Sequence, residues 1–250
     1  PMNPQGDFVW YEYLGEDVAA ANAFYSTVVG WKICDAGMPG ETYLVLHVGD
    51  RPVGGIGELT AEIKARGVPS CWTGYVGVAD VDATVARLTA AGGAVHRPAA
   101  DIPGIGRFAV VADPHGAVFI LFHPSDPRPA SPPLAEGTPG AIGWHELHAG
   151  NGAEAFAFYA EMFGWRKDTD LPMGAGGEVY RIFRTDDRPN GGMMTRMPET
   201  PCPFWLFYFD VEALDAAVAR VTGAGGRVVV GPMEVPGGAW IVQCLDPEGA

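Results

Sequence analysis

The chain has 250 residues, 48% of them hydrophobic, which is enough to bury two ordinary cores. Its formal net charge of −14 argues against nucleic acid, whose binding relies on Lys and Arg displacing counterions. No apolar run approaches the roughly 20 residues that span a bilayer.

The opening PMNPQGDF lacks the basic and apolar blocks of a signal peptide, so a cytoplasmic protein is expected. Residues Phe8 to Leu14 alternate as a strand, with Trp10, Glu12 and Leu14 on one face. A helix follows from about Asp17 to Val29: Val18, Ala21, Tyr25 and Val28 form a stripe, and Gly30 suits the position just past its end. Trp31–Cys34, Thr42–Val48 and Val53–Leu59 then read as short strands separated by Gly and Pro turns. Cys71–Val78 is a further strand. Asp80 can cap a helix carrying Val81, Val85 and Leu88 on one face, and Gly92-Gly93 ends it. Strands near Val95, at Phe108–Ala112 and at Val118–Phe122 follow. From Pro124 to Gly140 the prolines at 124, 127, 129, 132, 133 and 139 predict a semi-rigid linker.

Beyond the linker the chain repeats itself. WYEYLGEDVAAANAFYSTVVGW, Trp10 to Trp31, returns as WHELHAGNGAEAFAFYAEMFGW, Trp144 to Trp165. Gly54-Gly55 answers Gly191-Gly192, Trp72 answers Trp205, and Ala91-Gly92-Gly93 answers Ala224-Gly225-Gly226. Asp113-Pro114-His115-Gly116-Ala117 answers Asp246-Pro247-Glu248-Gly249-Ala250. Helices are therefore expected near Ala153–Phe163 and Glu212–Gly223. The predicted organisation is a first domain at 1–123, a linker at 124–140 and a second domain at 141–250. Repeat one runs on into the apolar strand AVFILFH, which repeat two lacks, so the second domain is expected to miss its last strand. The sequence leaves open whether modules pair within a repeat or across repeats.

Tandem βαβββ units, a helical Phe-Tyr followed by Gly-Trp, a second helix ending in Ala-Gly-Gly, and Asp-Pro-x-Gly before the last strand resemble the vicinal oxygen chelate superfamily. That superfamily includes glyoxalase I, extradiol dioxygenases, fosfomycin resistance enzymes and bleomycin-binding proteins. The resemblance covers nearly all of both repeats and looks closest to two-domain glyoxalase-like proteins. It implies an α+β fold: tandem glyoxalase-like repeats whose four βαβββ modules form two partly open mixed β-barrels with flanking helices, the ligand lying in the concavity.

The resemblance also implies four cleft-facing strand positions where metal-dependent members carry His or Glu. Here they hold Trp10, Gly54-Gly55, Thr73 and Ile120 in repeat one. Repeat two offers Trp144, Gly192 or Met193, and Leu206, the fourth lying past residue 250. Hard cations want N and O donors that these residues do not offer. No metal or other cofactor is expected, a divalent ion being disfavoured.

Glu12 and Glu146 share the strand face of the two tryptophans, a place where strand propensity does not ask for Glu. A cleft carboxylate could accept hydrogen bonds, balance a cation or act as general base; it could also be a structural acid. Glu146-x-His148 offers two donors on one face, although an isolated His is more often simply packed. His145 lies on the opposite face. Trp10, Tyr75, Trp144 and Tyr208, with Met193 and Met194, read as flat walls for planar or cationic molecules, or as core filling. Trp72 and Trp205 are expected to pack under the helices, and the Gly104–Arg107 and Gly237-Gly238 loops to act as lids. The four cysteines, Cys34, Cys71, Cys202 and Cys244, form no close pair and read as scattered core thiols.

The leading expectation is a metal-independent protein binding a small organic molecule, cationic or aromatic, through Trp10, Glu12, Thr73, Tyr75, Trp144, Glu146, His148, Met193 and Tyr208. Two alternatives stand beside it: a metal-dependent lyase or dioxygenase using Glu146 and His148, and a non-catalytic interaction protein. With four modules in one chain, a monomer suffices and a homodimer is not required.

Overall fold

A computed structural model describes residues 5–126 and 132–250, so residues 127–131 of the expected linker lie outside the described residues. The first module is β1 (Phe8–Gly15), α1 (Val18–Val28), β2 (Lys32–Asp35), β3 (Tyr43–Val48) and β4 (Arg51–Glu58). A short helix not anticipated from sequence, α2 (Ala61–Ala65), leads to the second: β5 (Cys71–Gly77), α3 (Val81–Ala90), β6 (Ala94–Ile102), β7 (Gly106–Ala112) and β8 (Val118–Pro124). The third is β9 (Ile142–Ala149), α4 (Gly152–Phe163), β10 (Arg166–Met173), β11 (Glu178–Arg184) and β12 (Pro189–Thr195). The fourth, β13 (Phe204–Phe209), α5 (Leu214–Gly223), β14 (Arg227–Glu234) and β15 (Trp240–Leu245), has one strand fewer among the described residues. Four βαβββ-type modules in mixed, open sheets with flanking helices are thus the architecture.

Local chemistry explains the helix boundaries. Asp17, Asp80 and Asn151 sit in extended backbone at the N-caps and accept from Ala20, Ala83, and Ala153 with Glu154. Each side chain satisfies a donor that the first helical turn leaves unpaired. Past the last turn, Gly30 and Gly92 adopt φ of 86° and 91°, where a Cβ would be strained.

The chain forms two compact units, each drawing on both repeats. One comprises residues 1–10, 73–133 and 144–208; the other comprises 11–72, 134–143 and 209–250. In the first, the strand order is β5-β8-β7-β6 in one sheet and β10-β11-β12-β9-β13 in another. Here β5 runs parallel to β8 and β9 parallel to β12. In the second, β2-β3-β4-β1 form a sheet in which β1 and β4 are parallel, and β14 pairs with β15.

The duplicated motifs are what join the repeats inside each unit. In the second unit the Tyr25 hydroxyl donates to Asp246 at 3.0 Å and accepts from the Trp72 indole at 2.9 Å. In the first, Tyr159 donates to Asp113 at 3.2 Å and accepts from Trp205 at 3.1 Å. The other oxygen of each aspartate collects backbone N–H groups of its own Asp-Pro-x-Gly turn: His115 and Ala117 for Asp113, Glu248 and Ala250 for Asp246. Asp113 and Asp246 are buried, so full hydrogen bonding is what makes their charge tolerable there. Trp31 donates to the carbonyl of Gly140 at 2.8 Å, and Trp165 reciprocates on Gly6 at 2.7 Å. Trp72 and Trp205 therefore lie under the helices, as the sequence suggested. Around the first network, Trp165 stacks on Phe183 at 4.6 Å and on Tyr159 at 4.8 Å.

Two expectations need correction. Cys34 and Cys202 are exposed rather than core thiols; Cys34 lies on β2, at the edge of its sheet, and Cys202 just before β13. The Gly104–Arg107 segment is a tight turn leading into β7 rather than a loose lid. Its Arg107 is held by Asp82 at 2.6 Å and Asp101 at 2.9 Å. Among the described residues no helix is long and apolar enough to cross a membrane.

Candidate functional site

The polar cluster of the first unit is built on the sheet of β9, β11, β12 and β13. Pleat alternation sets its membership. In the parallel ladder, Glu146 lies opposite Gly192 and His148 opposite Met194, whereas Leu147 lies opposite Met193. Leu147 and Met193 are fully buried on the other face. Met193 is therefore a core residue, and Met194 is the methionine that shares the face of Glu146. The sequence left Gly192 and Met193 as alternatives because a one-residue uncertainty in register flips the side chain.

Glu146 is 7% exposed and receives three side chains. The hydroxyl of Tyr180 donates to its Oε2 at 2.9 Å, and that of Tyr208 to its Oε1 at 3.3 Å. The Nε2 of His148 lies 2.9 Å from Oε1. The Trp144 indole in turn donates to the Tyr180 oxygen at 2.8 Å. Burial, and then the charge of Glu146, push the Tyr180 hydroxyl above its ordinary pKa, so the phenol stays a donor. Phe204 stacks on the His148 imidazole with centroids 4.5 Å apart and planes 8° apart.

Of the sequence-expected residues, the structure thus gathers Trp144, Glu146, His148 and Tyr208. Tyr180 was missed, although the duplication carried a signal: Tyr43 and Tyr180 each stand 12 residues before Gly55 and Gly192. In repeat one, Glu12 lies opposite Gly55, and Tyr43 covers that glycine as Tyr180 covers Gly192. Trp10 goes elsewhere, packing against the apolar cluster of Tyr75, Phe108 and Ile120 in the first unit. Thr73 is half-buried on β5, two residues from Tyr75. His145, on the opposite face, is buried, stacks on Phe8 at 4.3 Å and donates from Nδ1 to the Asn190 carbonyl at 2.6 Å. Its burial lowers the imidazole pKa to about 4.

The places implied for a metal ion do not fit one. A Cβ on Gly55 or Gly192 would collide with the phenol of Tyr43 or Tyr180, so the room for a ligating side chain holds an aromatic ring instead. The indole N–H of Trp144 is spent on Tyr180, and Ile120 is buried in the apolar cluster. Among the described residues, His, Cys, Asp and Glu nowhere gather in threes suited to a cation.

This chain belongs to the Glyoxalase/Bleomycin resistance protein/Dioxygenase superfamily, whose model matches residues 8–121 and 141–250. It is 33% identical to CFP32 of Mycobacterium tuberculosis, which carries only a provisional name as a glyoxylase, over 98% of this chain and 93% of the relative. It is 31% identical to the anthracycline biosynthesis protein DauV of Streptomyces sp. strain C5, over 96% and 90%. In three dimensions it is similar to the Mn(II)-bound glyoxalase from Novosphingobium aromaticivorans. That match has a TM-score of 0.66 and 18% identity and covers 98% of this chain and 79% of the other. The 2,3-dioxygenase LapB from Pseudomonas sp. KL28 matches at TM-score 0.63 and 16% identity, over 98% and 89%. At these identities the structural matches speak to the fold alone.

Proposed function

We propose that this protein binds a planar organic molecule at the Trp144–Tyr180–Glu146–His148–Tyr208 cluster without the divalent ion used by metal-dependent relatives. The observation that carries this reading is the buried Glu146 carboxylate, fixed by two phenols and an imidazole on one sheet face. Strands do not need such a group, and a buried polar network is costly unless complete. The phenol over Gly192 supports the metal-independent half of the reading, because the ring occupies the ligand's place. The name of the Streptomyces relative, an anthracycline biosynthesis protein, supports a flat aromatic ligand, and the half-exposed rings of Trp144 and Tyr208 suit one.

The test is a titration of planar aromatics against intrinsic tryptophan fluorescence, repeated on Trp144→Phe and Glu146→Gln. Binding that both substitutions weaken supports the proposal; a broad panel without response defeats it. The competing reading, a metal-dependent lyase, draws on the name of the mycobacterial relative. Elemental analysis of chelator-free protein separates the two, since stoichiometric manganese, zinc, nickel or iron overturns the metal-independent reading.

A further inference from the structure

The polar cluster contains one atom that its own hydrogen bonds leave out. Among the described residues nothing partners Nδ1 of His148, although the atom is buried and the side chain is only 10% exposed. Its other nitrogen, Nε2, faces the Glu146 carboxylate at 2.9 Å. An ionised carboxylate only accepts, so Nε2 carries the hydrogen in that contact, and in the neutral ring Nδ1 is left as a bare acceptor lone pair. Stranding such an acceptor is unfavourable, because the atom has given up water without gaining a partner.

The carboxylate itself points the same way. It already accepts from Tyr180, Tyr208 and His148, so its acceptor sites are filled by protein donors. Every polar group of the cluster is committed except one, and that one accepts.

Building on the site proposed above, we infer that the ligand is an uncharged aromatic hydroxyl compound whose O–H donates to Nδ1 of His148. Glu146 acts through the ring as a positioning residue: it fixes the tautomer and thereby the polarity of the recognition point. Phe204 stacks on the face of the imidazole, stands on β13 at the edge of its sheet, and is 36% exposed, while the Nδ1 lone pair points in the plane of the ring. A ligand that only stacks, or whose cationic group carries no N–H, leaves Nδ1 unpaired. One that brings a hydroxyl completes the network, and a site built around a buried acceptor discriminates strongly against the analogue lacking the donor.

Three probes of one ring system test this by calorimetry: 2-naphthol, its methyl ether, and the trimethyl(2-naphthyl)ammonium cation. The expected result is binding of 2-naphthol about tenfold or more tighter than either analogue. The preference should vanish in His148→Ala. A second measurement needs no variant: in 15N-histidine-labelled wild-type protein, the unprotonated Nδ1 resonance of His148 should move upfield on adding 2-naphthol and stay put with the ether. Equal affinities for all three probes, with binding still lost in Trp144→Ala, overturn the hydroxyl inference and leave the site standing. Binding of none of the probes, or binding indifferent to Trp144→Ala and Glu146→Gln, overturns the site itself.

Discussion

A methyl group at position 192 would have to share space with the Tyr180 ring, which itself reaches Glu146 at 2.9 Å. Gly192→Ala should therefore push the phenol off the carboxylate. The expected cost is about 1–3 kcal/mol in urea unfolding, typical of overpacking, together with weaker binding of aromatic probes. Gly55→Ala should destabilise to a similar degree through Tyr43. His145 makes a different residue-scale prediction. It is buried and neutral, with a pKa near 4 against 6.5 for an ordinary imidazole. Between those values the unfolded chain binds a proton that the folded chain refuses. Stability from this group is complete above pH 6.5 and drains away as pH falls toward 4, by about 3 kcal/mol in all. Urea midpoints measured at pH 7 and pH 4.5 should fall more steeply for wild type than for His145→Asn. Equal slopes in the two proteins would show that the imidazole is not the source.

At the scale of elements, the internal duplication exposes an imperfection. α3 begins at Asp80, with φ −146° and ψ 114°, whose carboxylate caps Ala83. α5 begins at the corresponding Ala213 with nearly the same backbone, φ −142° and ψ 117°, and no side-chain cap. Ala213→Asp should therefore stabilise the protein by about 1 kcal/mol, read as a raised urea midpoint at unchanged slope. α1 and α3 were legible from sequence because a 3.6-residue stripe, a capping acid and a terminal glycine agree at each, and α4 and α5 because the duplication repeats that pattern. Strand ends shifted by a residue or two, and α2 was missed because one turn gives no periodicity to detect.

For the whole molecule, the decisive contacts join the repeats. Tyr25 finds Asp246, Tyr159 finds Asp113, and Trp31 and Trp165 reach Gly140 and Gly6. A repeat expressed alone would lose the cross-repeat bond of its tyrosine and of its aspartate, each a loss of about 1–3 kcal/mol, and would open half of each core. Separate expression of residues 1–130 and 131–250 should give fragments without a cooperative unfolding transition, and mixing them should restore one. Independent, cooperative unfolding of either fragment would contradict the cross-repeat packing.

The amino-acid sequence by itself determined the repeated βαβββ pattern, its helix limits and the superfamily, because periodicity, capping residues and duplicated Gly and Trp motifs are local or self-comparing signals. It also marked Glu146 and Trp144, since a duplicated Glu in a strand has no local reason to be there. Only the tertiary structure decided that Tyr180, from a neighbouring strand, completes the carboxylate's hydrogen bonds, that Met193 faces the core, and that Trp10 joins an apolar cluster. It also decided that the twin Tyr and Asp motifs bind each other across repeats rather than within them. Those outcomes depend on register and on which surfaces meet, and neither is written in the spacing of any single segment.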